Sequence, residues 1–253
     1  MNSKRIMATP LGQRNWAIIG RLSAFVCLLF LLTASAKTEI VQAYNYDSFW
    51  LWAGVKPQSA LANAKEIYLL AGEVSNRGSP HIISQRSSVP HVSNAKVWIV
   101  YRAQTIAWNE AILSDILAHI ETWRIAGNHI EGLQIDFDAG TKHLDQYADF
   151  LGRVRAKLGA QYRLSVTGLL DWSANGDPEG LQALNGVVDE VVLQIYQGRH
   201  VIAGYAGYLK KLDGFQVPFK IGLLQGGDWV APIGLKQNSS FKGYVVFLLN
   251  PRI

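Results

Sequence analysis

The 253 residues read as an α/β protein, a single (β/α)8 TIM-type barrel with some helices short or missing. Three observations carry that reading. Eight short runs of β-branched and aromatic residues are bounded by Gly, Pro, Asn or Asp. Stripes of apolar residues at spacings of three and four lie between several of them. A hydrophobic content of 49% in a chain of this length supplies one large core but not two α/β domains. Single strands alternating with single helices favour a parallel sheet, and eight strands favour its closure. An open doubly wound sheet is the structural alternative.

The chain is divided here at residue 36. Lys4, Arg5, Arg14 and Arg21 precede or begin the apolar run Leu22 to Leu32, and Thr33-Ala34-Ser35-Ala36 follows. Ala34 and Ala36 fit a signal-peptidase site, so residues 1–36 are expected to be a signal peptide, or an N-terminal anchor if uncut. The run is short for a membrane span of ~20 residues. Cys27, the only cysteine, falls inside this segment. Phe25 and Val26 before it are not the small residues of a lipidation site.

Residues 37–253 are the expected barrel. The strands read as Val41 to Tyr46, Glu66 to Glu73, Val97 to Arg102, Gly132 to Asp138, Arg163 to Gly168, Glu190 to Tyr196, Phe219 to Leu224 and Gly243 to Leu249. Helices are read from Ile112, Ile116, Ile120 and Trp123, from Leu144, Tyr147, Leu151, Val154 and Leu158, and from Tyr205, Leu209 and Leu212. The helix between the last two strands is expected to be short or absent.

Charge excludes one class of partner. The first 36 residues hold four basic and no acidic residues, which leaves 20 basic against 19 acidic in the remainder. The basic residues are scattered, so no nucleic-acid partner is expected, and no membrane partner once the signal is cut. The sequence contains no phosphate loop, dinucleotide fingerprint or serine nucleophile elbow, so no cofactor is expected. A monomer is expected.

The fourth strand carries the functional reading. Alternation places Leu133, Ile135 and Phe137 on one face and Gln134, Asp136 and Asp138 on the other. In a barrel the apolar set suits the helix layer and the polar set points to the axis. Asp136 and Asp138 fall at the C-terminal end, where barrel sites gather. With Cα atoms ~7 Å apart, one charge disfavours the other, and one carboxyl can keep its proton near neutral pH. An acid beside a carboxylate is the equipment of glycosidic cleavage. A structural ion pair, with Arg102 as partner, is the bland alternative. Hard cations also use such oxygens, but no His adjoins the pair and no metal is expected.

Glu131-Gly132-Leu133-Gln134-Ile135-Asp136-Phe137-Asp138 resembles the Asp-Gly-x-Asp-x-Asp-x-Glu signature of chitinase-type (family eighteen) glycoside hydrolases. The chain from residue 37 is also similar to an uncharacterised bacterial family, domain of unknown function 3142. The resemblance implies that Asp138 is the proton donor and that Asp136 holds the substrate's acetamido group. It implies that Tyr196 steadies that group and that Phe247 replaces the aromatic floor of the sugar site. Gln134 stands where the hydrolases have Asp, and Asp138 where they have Glu, one methylene longer.

The expected site is therefore catalytic Asp138 and Asp136, with Gln134, Gln194, Tyr196, Tyr44, Arg102, Trp172 and Trp229 binding substrate. Tyr44 and Tyr46 would end the first strand at the barrel mouth, and Trp50 and Trp52 would follow in a loop. Trp172 and Trp229 follow the fifth and seventh strands, where aromatic rings can stack on sugars. The expected function is an exported, periplasmic or extracellular, glycoside hydrolase-like protein. Its partner would be an envelope or extracellular glycan, with N-acetyl sugars a candidate class. The alternatives are a non-catalytic carbohydrate-binding barrel and an envelope scaffold.

Overall fold

The computed structural model describes residues 38–212 and 215–250. The segment read as a signal, with Cys27, lies outside them. Eight strands form the barrel: β1 (Ser48–Leu51), β2 (Glu66–Ser75), β3 (Lys96–Ala103), β4 (His129–Asp136), β5 (Arg163–Leu169), β6 (Glu190–Gln194), β7 (Phe219–Leu224) and β8 (Phe241–Phe247). Each pairs in parallel with the next. β8 also pairs with β1, through Val246 with Phe49 and Phe247 with Trp50. That contact closes the ring and removes the open doubly wound alternative. Because β1 is short, the outer end of β2 pairs instead with the antiparallel strand His81–Ser84.

The first strand is not where the sequence suggested. Residues 41–46 contain a 3-10 turn, Ala43–Asn45. Val41 exchanges backbone hydrogen bonds with Gly226 and Gly227, and Glu39–Ile40 pairs with Asp228–Trp229. The barrel strand begins only at Ser48, so Trp50 is a strand residue and not part of a loop. β4 also ends earlier than expected, at Asp136, and Asp138 lies two residues beyond it.

The helical layer is incomplete. α1 (Glu110–Ile125) follows β3 and α2 (Leu144–Leu158) follows β4. α3 (Trp172–Asn175) and α4 (Pro178–Leu184) follow β5, and α5 (Tyr205–Leu209) follows β6. The only helical turns between β1 and β2 and between β7 and β8 are 3-10. The Asn109 side chain caps α1 by accepting from the Ile112 amide at 3.0 Å, and Glu110 and Arg124 sit at its favourable ends. Ile112, Ile116, Ile120 and Trp123 of α1 and Tyr147, Leu151 and Val154 of α2 bury one face against the sheet.

Two hydrophobic clusters result, as strand alternation requires. The outer one lies between the strands and the layer around them. The inner one fills the barrel with Trp50, Tyr68, Leu70, Trp98, Val100, Val192 and Val245. Tyr68 stacks on Trp98 with ring centroids 5.4 Å apart. Gly222 faces the axis, and a Cβ there would stand 2.8 Å from the Trp50 ring. The missing side chain is what admits the indole.

Beneath this aromatic layer runs a column of buried polar groups. The Lys220 ammonium contacts Glu66, lies 3.1 Å from Glu190 and donates to the Tyr68 hydroxyl at 3.0 Å. Tyr68 donates to Glu190 at 2.7 Å, and Ser165 donates to the same carboxylate at 3.1 Å. Gln134 then donates to Ser165 at 2.9 Å and accepts from the Trp50 indole at 2.5 Å.

Candidate active site

The last inward residue of β4 is Asp136. Its side chain is 8% exposed and accepts a 2.9 Å hydrogen bond from the Thr167 hydroxyl on β5. The same hydroxyl accepts from the Phe137 amide at 3.2 Å, which fixes the chain as it leaves the strand. Burial pushes the Asp136 carboxyl up to about 6. The Thr167 bond and the Arg102 guanidinium pull it down, and Asp138 pushes it up further. Asp138 itself is exposed.

Both carboxylates line one cavity of about 620 Å³ at the C-terminal end of the strands. Arg102, Gln194 and Tyr196 line it too, so five of the nine expected site residues come together. The cavity has two unlike walls. Trp52, Phe247 and Tyr196 form an aromatic side, with ring centroids 5.6 Å and 5.4 Å apart along the series. Asp136, Asp138 and Asp171 form an acidic side at the ends of β4 and β5. Such a groove suits a pyranose ring, whose apolar face stacks on aromatics while its hydroxyls meet carboxylates.

The other four expected residues lie elsewhere. Gln134 is fully buried in the polar column, one inward position below Asp136, and is closed off from the cavity. Tyr44 is 74% exposed but lines a cleft with Lys96, His129 and Lys220, at the opposite end of the barrel. Its neighbour Tyr46 packs edge-on against Tyr244. Trp172 is 1% exposed, and its indole donates to the Ala139 carbonyl at 2.9 Å. Trp229 is 4% exposed and stacks on Tyr205. These two indoles are packing, not platforms.

The sequence reading gave no site role to Thr167 and Tyr147. Thr167 was legible in principle, because Ser165 and Thr167 share the inward face of β5. Tyr147 was not, because it occupies an apolar position of α2. Its hydroxyl is buried without a hydrogen-bond partner among the described residues. Burial first, then Asp136 and Asp138, raise its hydroxyl well above the ordinary tyrosine value. Among the described residues no group of three or more His, Cys, Asp or Glu side chains is placed to hold a metal.

Comparison with known proteins agrees at the level of fold. Residues 100–209 match the family model Domain of unknown function (DUF3142). No curated protein matches the chain. The spore cortex-lytic enzyme SleL of Bacillus cereus superposes with a TM-score of 0.51 at 18% identity. The match covers 70% of this chain and half the length of that enzyme. The xylanase and alpha-amylase inhibitor protein XAIP-II of Scadoxus multiflorus gives 0.51 at 11% identity, covering 79% and 92% of the two chains. The related XAIP-I, crystallised in complex with trehalose, gives 0.52 at 10% identity, covering 79% and 92%. The stretch that matches DUF3142 thus lies within a TIM-like barrel, part of whose helical layer is missing among the described residues. The chain shares this fold with a lytic enzyme and with inhibitor proteins.

Proposed function

We propose that this chain is a glycoside hydrolase-type barrel that works outside the cytoplasm on an envelope or extracellular glycan. The observation that carries the proposal is a buried Asp136 and an exposed Asp138 lining one cavity with an aromatic wall. Asp138 is the carboxyl that a glycosidic oxygen can reach. Asp136, which keeps a proton to about pH 6, supplies the proton that Asp138 delivers to that oxygen as the C–O bond breaks. Water attacks the anomeric carbon, directly or after an acetamido oxygen of the substrate, and its proton returns to the carboxylate pair. Gln194 and Tyr196 orient the sugar. The export reading rests on the first 36 residues and is checked by mass spectrometry of the mature N-terminus.

The test is a hydrolysis screen over neutral, N-acetylated and acidic oligosaccharides between pH 4 and 8. Turnover should fall as pH rises through about 6, where Asp136 loses its proton. Asp138→Asn should lose on the order of 10²–10⁴-fold, the usual contribution of a general acid. Equal activity in wild type and Asp138→Asn would remove Asp138 from the mechanism.

A second reading, a barrel that binds a glycan without cleaving it, is favoured by one observation. The terminal acid is Asp rather than the longer Glu of the resembled hydrolases. A retreat of ~1.5 Å can cost ~10²-fold in rate. The trehalose bound to XAIP-I belongs to an inhibitor protein of the same fold. Binding without released product would support this reading.

A further inference from the structure

Arg102 lines the acid-bearing cavity, yet it pairs with none of its acids. In register it stands between Glu73 on β2 and Asp136 on β4. Among the described residues it forms an ion pair with neither. Both carboxylates have other partners: Glu73 accepts from Gln104, and Asp136 from Thr167. The guanidinium lies instead over the Trp52 ring, 5.6 Å from its centroid. A guanidinium whose only close partner is an aromatic face keeps its N–H groups free, and their fork matches a planar carboxylate with two parallel hydrogen bonds.

Among the described residues that line the cavity Arg102 is the one cation, and it bears on Asp136 without an ion pair to it. Asp136, Asp138 and Asp171 stand at the ends of β4 and β5, while Arg102 leans toward Trp52 beside Phe247. A ligand cation would be drawn to the acidic wall and would leave Arg102 unused. A neutral sugar would offer it single hydroxyl acceptors but no charge and no partner for both arms of the fork. From this placement we infer that the bound sugar carries a carboxylate, as a uronic acid does. Arg102 receives it in bidentate fashion while the ring rests against the Trp52–Phe247 wall. The inference rests on the carbohydrate reading above and narrows its substrate class.

The test is calorimetric binding at fixed ionic strength and pH 5. The probes are galacturonate and glucuronate-containing oligosaccharides, with glucose and N-acetylglucosamine oligosaccharides of equal length beside them. Acidic probes should bind wild type at least ten-fold more tightly than neutral ones. Arg102→Gln should weaken the acidic probes ten-fold or more and the neutral ones by a clearly smaller factor. Arg102→Lys should fall between, because it keeps the charge and loses the fork. Trp52→Leu, which removes the stacking surface without touching a charge, should weaken the acidic probes too. Neutral and acidic probes bound alike, or acidic binding indifferent to Arg102→Gln, would overturn this inference and leave the carbohydrate reading standing. Binding of no oligosaccharide of either kind would overturn both.

Discussion

Asp136 carries a stability cost that can be read with pH. A buried carboxyl raised from 3.8 to about 6 favours its protonated form in the folded state. The folded protein therefore binds a proton more tightly than the unfolded chain. Stability is greatest below pH 4 for this group and is lost as pH rises through 6. A shift of two units corresponds to about 3 kcal/mol at pH 8. Arg102, Asp138, Thr167, Tyr147 and Tyr196 are the polar groups that bear on it, and Arg102 is the one cation among them. Asp136→Asn keeps the oxygen that accepts from Thr167 and removes the charge. It should melt higher than wild type at pH 8, with the gap closing toward pH 4. A thermal-melt series at constant ionic strength checks this, and a gap that does not depend on pH would refute it. Strand alternation alone told that Gln134, Asp136 and Asp138 face inward. It did not tell how deep each lies along the axis. Gln134 sits one inward position lower, where Trp50 and Ser165 fill the ring, so an expected sugar contact is an internal strut.

Strand β4 shows what its own pattern fixes and what its neighbours decide. Val97 of β3 pairs with Ile130, but Trp98 pairs with Gly132, so Glu131 is an extra residue. The bulge turns Glu131 toward Lys96 at 2.9 Å and Arg163 at 3.1 Å, and resets the alternation that aims Asp136 into the cavity. Gly132 then meets β5 so closely that a Cβ would stand 2.0 Å from the Arg163 carbonyl oxygen. Gly132→Ala must push the two backbones apart. It should cost about 3 kcal/mol or more, the upper range for overpacking, as read by urea denaturation. Loss of less than about 1 kcal/mol would mean that the strands are not so close. A similar bulge at Ala71 moves Gly72 to the outer face with Tyr101, against the simple alternation of Glu66 to Glu73. Seven of the eight strands were legible because each is a run of β-branched or aromatic residues with clear ends. The first was misplaced because Val41–Tyr46 looks like such a run, while Ser48–Leu51 is only four residues long and its turn residues, Asn45 and Asp47, lie inside and just after the longer run. Trp172 and Trp229 were expected at the mouth because they follow strands. Their rings turn back to fill gaps in the thin outer layer, which no local pattern encodes.

The barrel as a unit divides its labour along the axis. Its C-terminal end holds a buried carboxyl raised to about 6, while its N-terminal half sets one cation against two carboxylates. Lys220, 6% exposed, lies between Glu66 and Glu190 with Tyr68 between them. Those two carboxylates raise the Lys220 ammonium above its ordinary value, against the effect of burial. Removing the cation alone strands the buried Glu190 and leaves Glu66 unpaired at the cleft beside it, and breaking a buried pair typically costs about 3–5 kcal/mol. Lys220→Met should therefore destabilise by about that amount at pH 7. Lys220→Met combined with Glu190→Gln should recover part of the loss, because one stranded charge is neutralised. Among the described residues, no hydrogen bond links this column to Asp136, whose partner is Thr167. The single and double variants should thus change the urea midpoint and leave the pH dependence set by Asp136 where it was. A shift of that pH dependence in Lys220→Met would mean that the two ends of the barrel are coupled through the interior.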